Sequence, residues 1–177
     1  MLRMFFALQP TLAQSAALVD AVTPLVKELA GQPVPAANLH STLCFVGAVV
    51  EEKLAALQEA ASRVRGHPIA LTFDTLEFWE KPEILCATAA ENTFARDLSS
   101  TVFDTVFAAG FTPDVKPYRA HLTLARKVRR RVANKLQWPR ALAPVQVRCE
   151  QFVLMQSRRD ESGSTYSVVD SWPLYEK

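Results

Sequence analysis

The chain has 177 residues, of which 49% are hydrophobic and 21% are charged, with only 5 glycines. A chain of this size and composition buries a substantial core, which excludes a disordered or fibrous protein. The net charge of +2 hides an asymmetry, because residues 111–177 hold 13 of the 20 basic residues and only 6 of the 18 acidic ones. This basic part, densest in the segment Arg126 to Arg131, is a candidate surface for an anionic partner.

The N-terminal apolar run is far shorter than the ~18 residues of a membrane span and is not followed by a cleavage site for secretion. Three cysteines, Cys44, Cys86 and Cys149, form no C-x-x-C pair. This argues against a disulfide framework and against a thiolate zinc site. We therefore expect a cytoplasmic protein with reduced, buried thiols and no membrane partner, and we expect a monomer.

In chain order, the apolar periodicity predicts a first strand, a helix, and then strands and helices in alternation. Strands are predicted over residues 2–8, 38–46 (closed by Gly47), 69–78, 84–89, 118–125, 145–156 and 164–174, and helices over 11–29, 51–64 and 92–109. Pro24 is expected to kink or split the first helix. The residues of the last helix that are expected to face inward are Phe94, Leu98, Val102, Val106 and Phe107. A hairpin joins the third and fourth strands, and residues 158–163 form a turn. The elements predict an α+β fold of antiparallel sheet pieces covered by helices.

Two of the three histidines begin the same tetrapeptide, His-x-Thr-Leu, at residues 40–43 and 121–124. Because side chains i and i+2 of a strand share a face, each motif places an imidazole beside a hydroxyl. If the two strands lie close together, two imidazoles and two hydroxyls converge in one cleft. His67 has no hydroxyl two residues later, and we assign it no role.

Paired imidazoles are suited to acid/base catalysis, since a pKa near 6.5 lets one ring be neutral and the other protonated. The hydroxyls are suited to hydrogen bonding with phosphate oxygens, so the pattern predicts displacement at phosphorus without a metal or other cofactor. A zinc site lacks enough ligands in the sequence. Cys44, four residues after His40, permits a Cys/His nucleophile, but a small buried side chain is the simpler interpretation.

Both motifs and their flanks, residues 38–47 and 118–126, together with residues 3–8, resemble the 2H phosphoesterase superfamily. They are most similar to its bacterial and archaeal branch, the RNA 2′,3′-cyclic phosphodiesterases, also called 2′-5′ RNA ligases. The resemblance implies one domain over residues 1–177, made of two interleaved, pseudo-symmetric lobes of antiparallel sheet with covering helices. Each lobe contributes one motif to an active-site groove between them.

The resemblance also implies roles for individual side chains. His40 is the proton donor and His121 the proton acceptor, and the phosphate is bound by Thr42, Thr123 and Arg126. Strict alternation from His121 places Ala125 in the cleft and Arg126 on the opposite face, so Arg126 reaches the phosphate only where the strand bulges or ends. Phe5 and Tyr166 are candidates for stacking on a base.

We therefore expect hydrolysis of an RNA 2′,3′-cyclic phosphate to a 2′-phosphomonoester, with weak and reversible 2′-5′ ligation by the same pair of histidines. Two alternatives remain open. One keeps the site but changes the substrate to a small cyclic nucleotide, a 2′-5′ oligonucleotide or an ADP-ribose cyclic phosphate. The other is a non-catalytic RNA-binding module in which the histidines are structural.

Overall fold

The computed structural model describes residues 1–160 and 163–175 and shows an α+β fold with two antiparallel sheets. The four-stranded sheet has the order β3-β1-β8-β9, with strands at Ser41–Val49, Leu2–Leu8, Gln151–Asp160 and Gly163–Pro173. The five-stranded sheet has the order β2-β6-β5-β4-β7, with strands at Gln32–Pro33, His121–Arg126, Ile84–Ala89, Ile69–Trp79 and Arg140–Cys149. The predicted fold class is therefore confirmed. The tip of the predicted turn at 158–163 lies outside the described residues.

Four α-helices accompany the sheets: α1 (Leu12–Glu28), α2 (Leu54–Ser62), α3 (Thr93–Ala108) and the short α4 (Arg130–Ala133). The first begins with a capping box, in which the Thr11 hydroxyl accepts from the backbone of Gln14 while the Gln14 side chain accepts from the backbone of Thr11. The helix continues through Pro24. In the described part of the chain, no helix is long and apolar enough to cross a membrane.

The inward face of α3 differs from the prediction. Phe94 and Phe107 are 54% and 61% exposed, so the expectation that they face the core is wrong. The other predicted inward positions, Leu98, Val102 and Val106, are buried, and Ala95 and Ser99 complete the buried stripe. Their spacing of three and four residues is the helical period, and the two phenylalanines lie beside that stripe rather than in it.

The predicted strand over 145–156 is two strands that belong to different sheets. Cys149 ends β7, where it pairs with Ile69 of β4, and Gln151 begins β8. From there the chain runs beside β1, with Val153 opposite Ala7. Two consecutive polar residues, Glu150 and Gln151, interrupt the apolar alternation at the crossing. Both flanks are typical of strands, so periodicity does not distinguish an interrupted strand from two strands in different sheets.

The strand that carries the first motif begins later and ends later than predicted. A 3₁₀ turn occupies Ala36–Asn38, and β3 runs from Ser41 past Gly47 to Val49. Gly47 adopts a φ of 86°, which a glycine tolerates without a steric penalty, so the strand bends there instead of ending. As a result His40 stands just before the first residue of its strand.

The main core includes buried residues from both sheets and from α1, α2 and α3, among them Phe6, Leu18, Leu57, Leu98 and Leu122. On the other face of the four-stranded sheet lies a small cluster of Phe5, Ala7, Val153 and Met155, against which Tyr166 packs. This second face is the one that turns toward the first motif.

One buried hydrogen bond joins α3 to β3. The hydroxyl of Ser99, which is 6% exposed, donates to the carbonyl of Leu43 at 2.6 Å. We expect Ser99→Ala to lower the free energy of unfolding by about 1–3 kcal/mol, because the buried carbonyl loses its partner. Urea denaturation measures the change. Ser100→Ala is the matched control, since that hydroxyl is on the exposed side of the same helix and bonds only to the Arg96 carbonyl. Equal effects of the two substitutions would contradict the prediction.

Candidate active site

The two motifs lie on different sheets and meet at one cavity. His40 immediately precedes β3, and His121 is the first residue of β6. Ser41, inside the first motif, and Tyr118, three residues before the second, share a hydrogen bond between their hydroxyls at 3.2 Å. The cavity has a volume of about 800 Å³, and every residue singled out from the sequence lines it: Phe5, His40, Thr42, His121, Thr123, Arg126 and Tyr166.

Within the first motif, the strand contains one extra residue relative to its neighbour; a second extra residue, Val46, follows just before Gly47. In the pairing of β1 with β3, Ala7 lies opposite Thr42 and Phe6 opposite Cys44, so Leu43 has no partner of its own. This is a β-bulge, which reverses the alternation of side chains beyond it. Leu43 and Cys44 are both buried as a result.

The second motif strand has the same irregularity at the same place. In the pairing of β5 with β6, Cys86 lies opposite Thr123 and Leu85 opposite Ala125, so Leu124 is the extra residue. Leu124 and Ala125 are both buried, at 1% and 0% exposure. The two tetrapeptides are therefore alike in backbone geometry as well as in sequence, with each extra residue directly after the threonine.

The bulges decide which residue follows the threonine into the cleft. Beyond the second bulge, Arg126 lines the cavity and its Nη2 donates to the Tyr166 hydroxyl at 3.2 Å. Beyond the first, the equivalent position is Phe45, which also lines the cavity and is 40% exposed. Strict alternation would have turned both side chains away from the cleft.

Phe45 is a site residue that the sequence analysis missed. Its ring lies 5.3 Å from Nζ of Lys116, measured to the ring centroid, and its carbonyl accepts a hydrogen bond from Asp114. The signal that points to Phe45 is its position, since it stands five residues after His40 as Arg126 stands five after His121.

The two aromatic side chains proposed for base stacking differ in accessibility. Phe5 is only 2% exposed, and its ring packs against His40 at 4.8 Å and edge-on against Tyr166 at 5.6 Å between centroids. A buried ring offers no open face to a base, so the structure does not support stacking on Phe5. Tyr166 is half-buried, and together with Phe45 it presents aromatic surface to the cavity.

Each motif histidine is oriented by the backbone two residues before it. Nδ1 of His40 donates to the Asn38 carbonyl at 2.7 Å, and Nδ1 of His121 donates to the Arg119 carbonyl at 2.8 Å. A carbonyl only accepts, so the hydrogen sits on Nδ1 and Nε2 is the free nitrogen in the neutral rings. Both imidazoles thus keep the nitrogen needed for proton transfer.

Burial and positive neighbours favour the neutral form of both rings. The pKa of His40 is lowered to about 4, mainly by desolvation and also by the charges of Arg126 and His121. The hydrogen bond to the Asn38 carbonyl raises this pKa but does not offset the other effects. Desolvation also lowers the pKa of His121, assisted by Arg119 and Arg126, whereas the Arg119 carbonyl and the Glu77 carboxylate raise it. The cavity is therefore a positive environment that suits an anion.

Cys44 does not share the cleft with His40. The bulge turns its side chain toward a separate cavity, which is also lined by Ser99 and Tyr118. Burial raises the pKa of the Cys44 thiol to about 12. A thiol of this kind is protonated at neutral pH and is a poor nucleophile. Both its position and its protonation therefore argue against a Cys/His nucleophile. Among the described residues, no three histidine, cysteine or acidic side chains cluster as a metal site would require.

Comparison with known proteins points to a single family. Residues 8–85 match the family described as LigT-like phosphoesterases. The RNA 2′,3′-cyclic phosphodiesterase of Archaeoglobus fulgidus is 33% identical over 118 residues, which cover 63% of this chain and 66%, just under two thirds, of that protein. The Escherichia coli protein of the same name is 27% identical over 149 residues, 82% of this chain and 81% of that one.

A solved structure of known name has the same fold as this chain. The crystal structure of E. coli LigT complexed with 3′-AMP superimposes with a TM-score of 0.85 at 24% sequence identity, and the match covers 99% of each chain. At this identity the likeness concerns the fold.

Replacing Arg126 provides a test of the electrostatics of the cavity. We expect Arg126→Gln to raise the pKa of His40 above its value of about 4, because a positive neighbour penalises the imidazolium and its removal lets the ring bind a proton at higher pH. NMR titration of the histidine Cε1–H signals measures this. Arg129→Gln is the control, since its charge contributes to the shift of neither ring. An unchanged His40 titration in Arg126→Gln would show that the arginine does not act on the imidazole.

Proposed function

We propose that this chain, which belongs to the LigT-like 2H phosphoesterase family, hydrolyses a 2′,3′-cyclic phosphate at an RNA end to a 2′-phosphomonoester. One observation carries the proposal: two identically bulged motifs bring two imidazoles, two threonines and one arginine into the same cavity. The names of the relatives in E. coli and A. fulgidus support the same reaction.

In the proposed mechanism His121 is the base and His40 is the acid. Nε2 of His121 removes a proton from water while the water oxygen forms a bond to phosphorus. The bond from phosphorus to the ribose 3′ oxygen breaks, and this oxygen takes the proton from Nε2 of His40. One proton is removed and the other is donated on opposite sides of the same phosphorus. Two histidines that come from separate strands are suited to this arrangement. Thr42, Thr123 and Arg126 hold the non-bridging oxygens, where hydrogen-bond donors stabilise the charge of the transition state.

The acid role requires a protonated His40, although the pKa of this ring is about 4 in the free protein. The substrate supplies the missing stabilisation, because its phosphate carries a negative charge that favours the imidazolium and offsets the charge of Arg126. The bound anion thereby raises the pKa of His40. Protonation of the acid is then coupled to binding of the substrate.

The surface beside the cavity supports a polynucleotide substrate. Lys127, Arg129, Arg130 and Arg131 follow Arg126 directly and are all exposed. Within the described residues, Arg130 pairs with Glu83, whereas no ion pair engages the other three. Basic side chains of this kind bind the phosphates of a nucleic acid, and the exposed ring of Phe45 offers a surface on which a base stacks.

A second candidate substrate is a small nucleotide that carries a cyclic phosphate. The presence of 3′-AMP in the E. coli structure favours it, because that ligand shows that the fold holds a single nucleotide. The same two histidines would serve either substrate. In ligation a 5′-hydroxyl takes the place of water: its oxygen forms the bond to phosphorus and gives its proton to His121, while the bond to the 3′ oxygen breaks and this oxygen takes a proton from His40. We propose this 2′-5′ ligation as a weak second activity of the same site.

Replacement of each motif histidine tests the mechanism. With an oligonucleotide that ends in a 2′,3′-cyclic phosphate, in the presence of EDTA, we expect His40→Ala and His121→Ala each to lose about 10²–10⁴-fold in kcat/KM, the contribution of a general acid or base. Release of the 2′-phosphomonoester, followed by ³¹P NMR, measures the rate.

His67→Ala is the matched control, since this third histidine packs against Phe94 away from the cleft. It should keep the wild-type rate. Undiminished turnover in both motif variants, or loss of wild-type turnover in EDTA, would contradict the mechanism. RNA binding that survives both substitutions without any turnover in the wild type would identify a binding module instead.

The basic segment distinguishes RNA from a small nucleotide. We expect the triple substitution Lys127→Ala, Arg129→Ala and Arg131→Ala to remove a preference for the oligonucleotide over a 2′,3′-cyclic mononucleotide and to reduce the salt slope of log(kcat/KM) by about 2. The rate on the mononucleotide should not change.

The control for this experiment removes three exposed basic residues, which lie in α1, in the turn before α2 and directly after α2: Lys27, Lys53 and Arg63. It should leave the oligonucleotide preference intact. If wild-type protein hydrolyses both substrates equally well and with the same salt dependence, the small-nucleotide alternative is favoured.

A further inference from the structure

A carboxylate outside both motifs lies close to one histidine only. Glu77, on β4, has a side chain that is 22% exposed and bonded to three groups. Trp79 Nε1 donates to its Oε2 at 2.9 Å, and the Thr88 hydroxyl donates to its Oε1 at 3.2 Å. Arg119 Nη2 forms an ion pair with the same Oε1. A carboxylate with this many partners is held in a fixed position.

Each of those three partners is connected to His121. The Trp79 ring packs against the imidazole with 4.6 Å between centroids, and the Arg119 guanidinium lies 5.2 Å from the centre of the same indole. The Arg119 carbonyl receives the Nδ1–H of His121. Thr88 is the residue opposite His121 in the pairing of β5 with β6. Glu77 thus ties together the groups that surround the second motif histidine.

The first motif histidine has a different environment. Phe5 and Tyr166 pack on the His40 ring, and its Nδ1 bonds to the backbone of Asn38. The described charged groups that act on His40 are Arg126 and His121, and neither is a carboxylate. The two sites share a backbone geometry, but only the second has an anion beside it.

We propose that Glu77 is a positioning residue for His121: it holds Trp79 and Arg119 so that the imidazole presents Nε2 to the cleft, and its charge stabilises the imidazolium that forms when water gives up its proton. The inference rests on the proposed function in one respect, the role of His121 as the base. The orientation and the charge effect hold for the folded protein without substrate.

The charges around His121 give the direction of the effect. The charges of Arg119 and Arg126 disfavour its protonated form, and Glu77 is the carboxylate that favours it. Partial burial raises the pKa of Glu77, but the hydrogen bond from Trp79 and the charge of Arg119 outweigh it, so the pKa lies below its ordinary value and the side chain is ionised at neutral pH. Removing this charge while keeping the shape lowers the pKa of His121 further and makes it a weaker base.

Glu77→Gln tests the proposal by two measurements. In the first, NMR titration of the folded protein, His121 should titrate at lower pH than in the wild type while His40 titrates unchanged. In the second, kcat/KM for the cyclic phosphate, the acidic limb of the pH profile should move to lower pH and the plateau should fall by roughly tenfold, a part of what a general base contributes.

Three further variants separate charge from structure. Glu77→Asp keeps the charge and should return the His121 titration toward the wild-type value. Trp79→Phe keeps a ring against the imidazole but loses the donor to Glu77, so it should lower kcat without moving the His121 titration. Glu59→Gln, which removes an exposed carboxylate paired with Arg63 on α2, should change neither measurement.

The proposal is overturned if His121 titrates in folded Glu77→Gln as it does in the wild type, or if Glu59→Gln has the same effect. Thermal denaturation verifies that each variant is folded. A shifted titration in a protein whose wild type turns over no cyclic phosphate would support the role of Glu77 and reject the proposed function, so the two failures are distinguishable.

Discussion

The site depends on one extra residue in each motif strand. A regular strand presents every second side chain to the same face, so it would offer the histidine, the threonine and then Cys44 or Ala125 to the cleft. The bulges at Leu43 and Leu124 bury those small residues and bring the next ones, Phe45 and Arg126, to the front. The position of Arg126 in the cavity, its positive charge near both imidazoles and the aromatic wall of the cavity all follow from this shift in register.

The two halves of the site share a backbone but not an electrostatic environment. Two equivalent histidines on a symmetric scaffold would compete for the same role. Here one ring lies between aromatic side chains and an arginine, whereas the other lies beside a carboxylate held by Trp79 and Arg119. Two titratable groups acquire separate acid and base functions when their neighbours shift their pKa values apart. Divergence of the surroundings, with the motifs unchanged, is sufficient for that purpose.

Much of the fold and of the site can be predicted from the sequence, because these features depend on local residue patterns. The bounds of β1, the hairpin of β4 and β5, and the pairing of imidazole with hydroxyl follow from alternation over a few residues. Three features do not. A bulge changes register without a characteristic residue, the crossing at Glu150 is marked only by two consecutive polar residues, and the contact of Glu77 with Arg119 joins positions that are 42 residues apart. Each is decided by which strands meet, and a single sequence does not encode that locally.

The interleaved order of the strands has a consequence for the timing of assembly. The surroundings of His121, from β4 through β6, come from one continuous stretch of chain that ends at Arg126. Those of His40 combine β1 with β8 and β9, so Phe5 and Tyr166 approach each other only after nearly the whole chain has been made. Pairings between distant segments form late, because the intervening chain must be ordered first. On the ribosome, the strands around His121 are therefore synthesised before β7, which completes their sheet, and the strands around His40 are completed last.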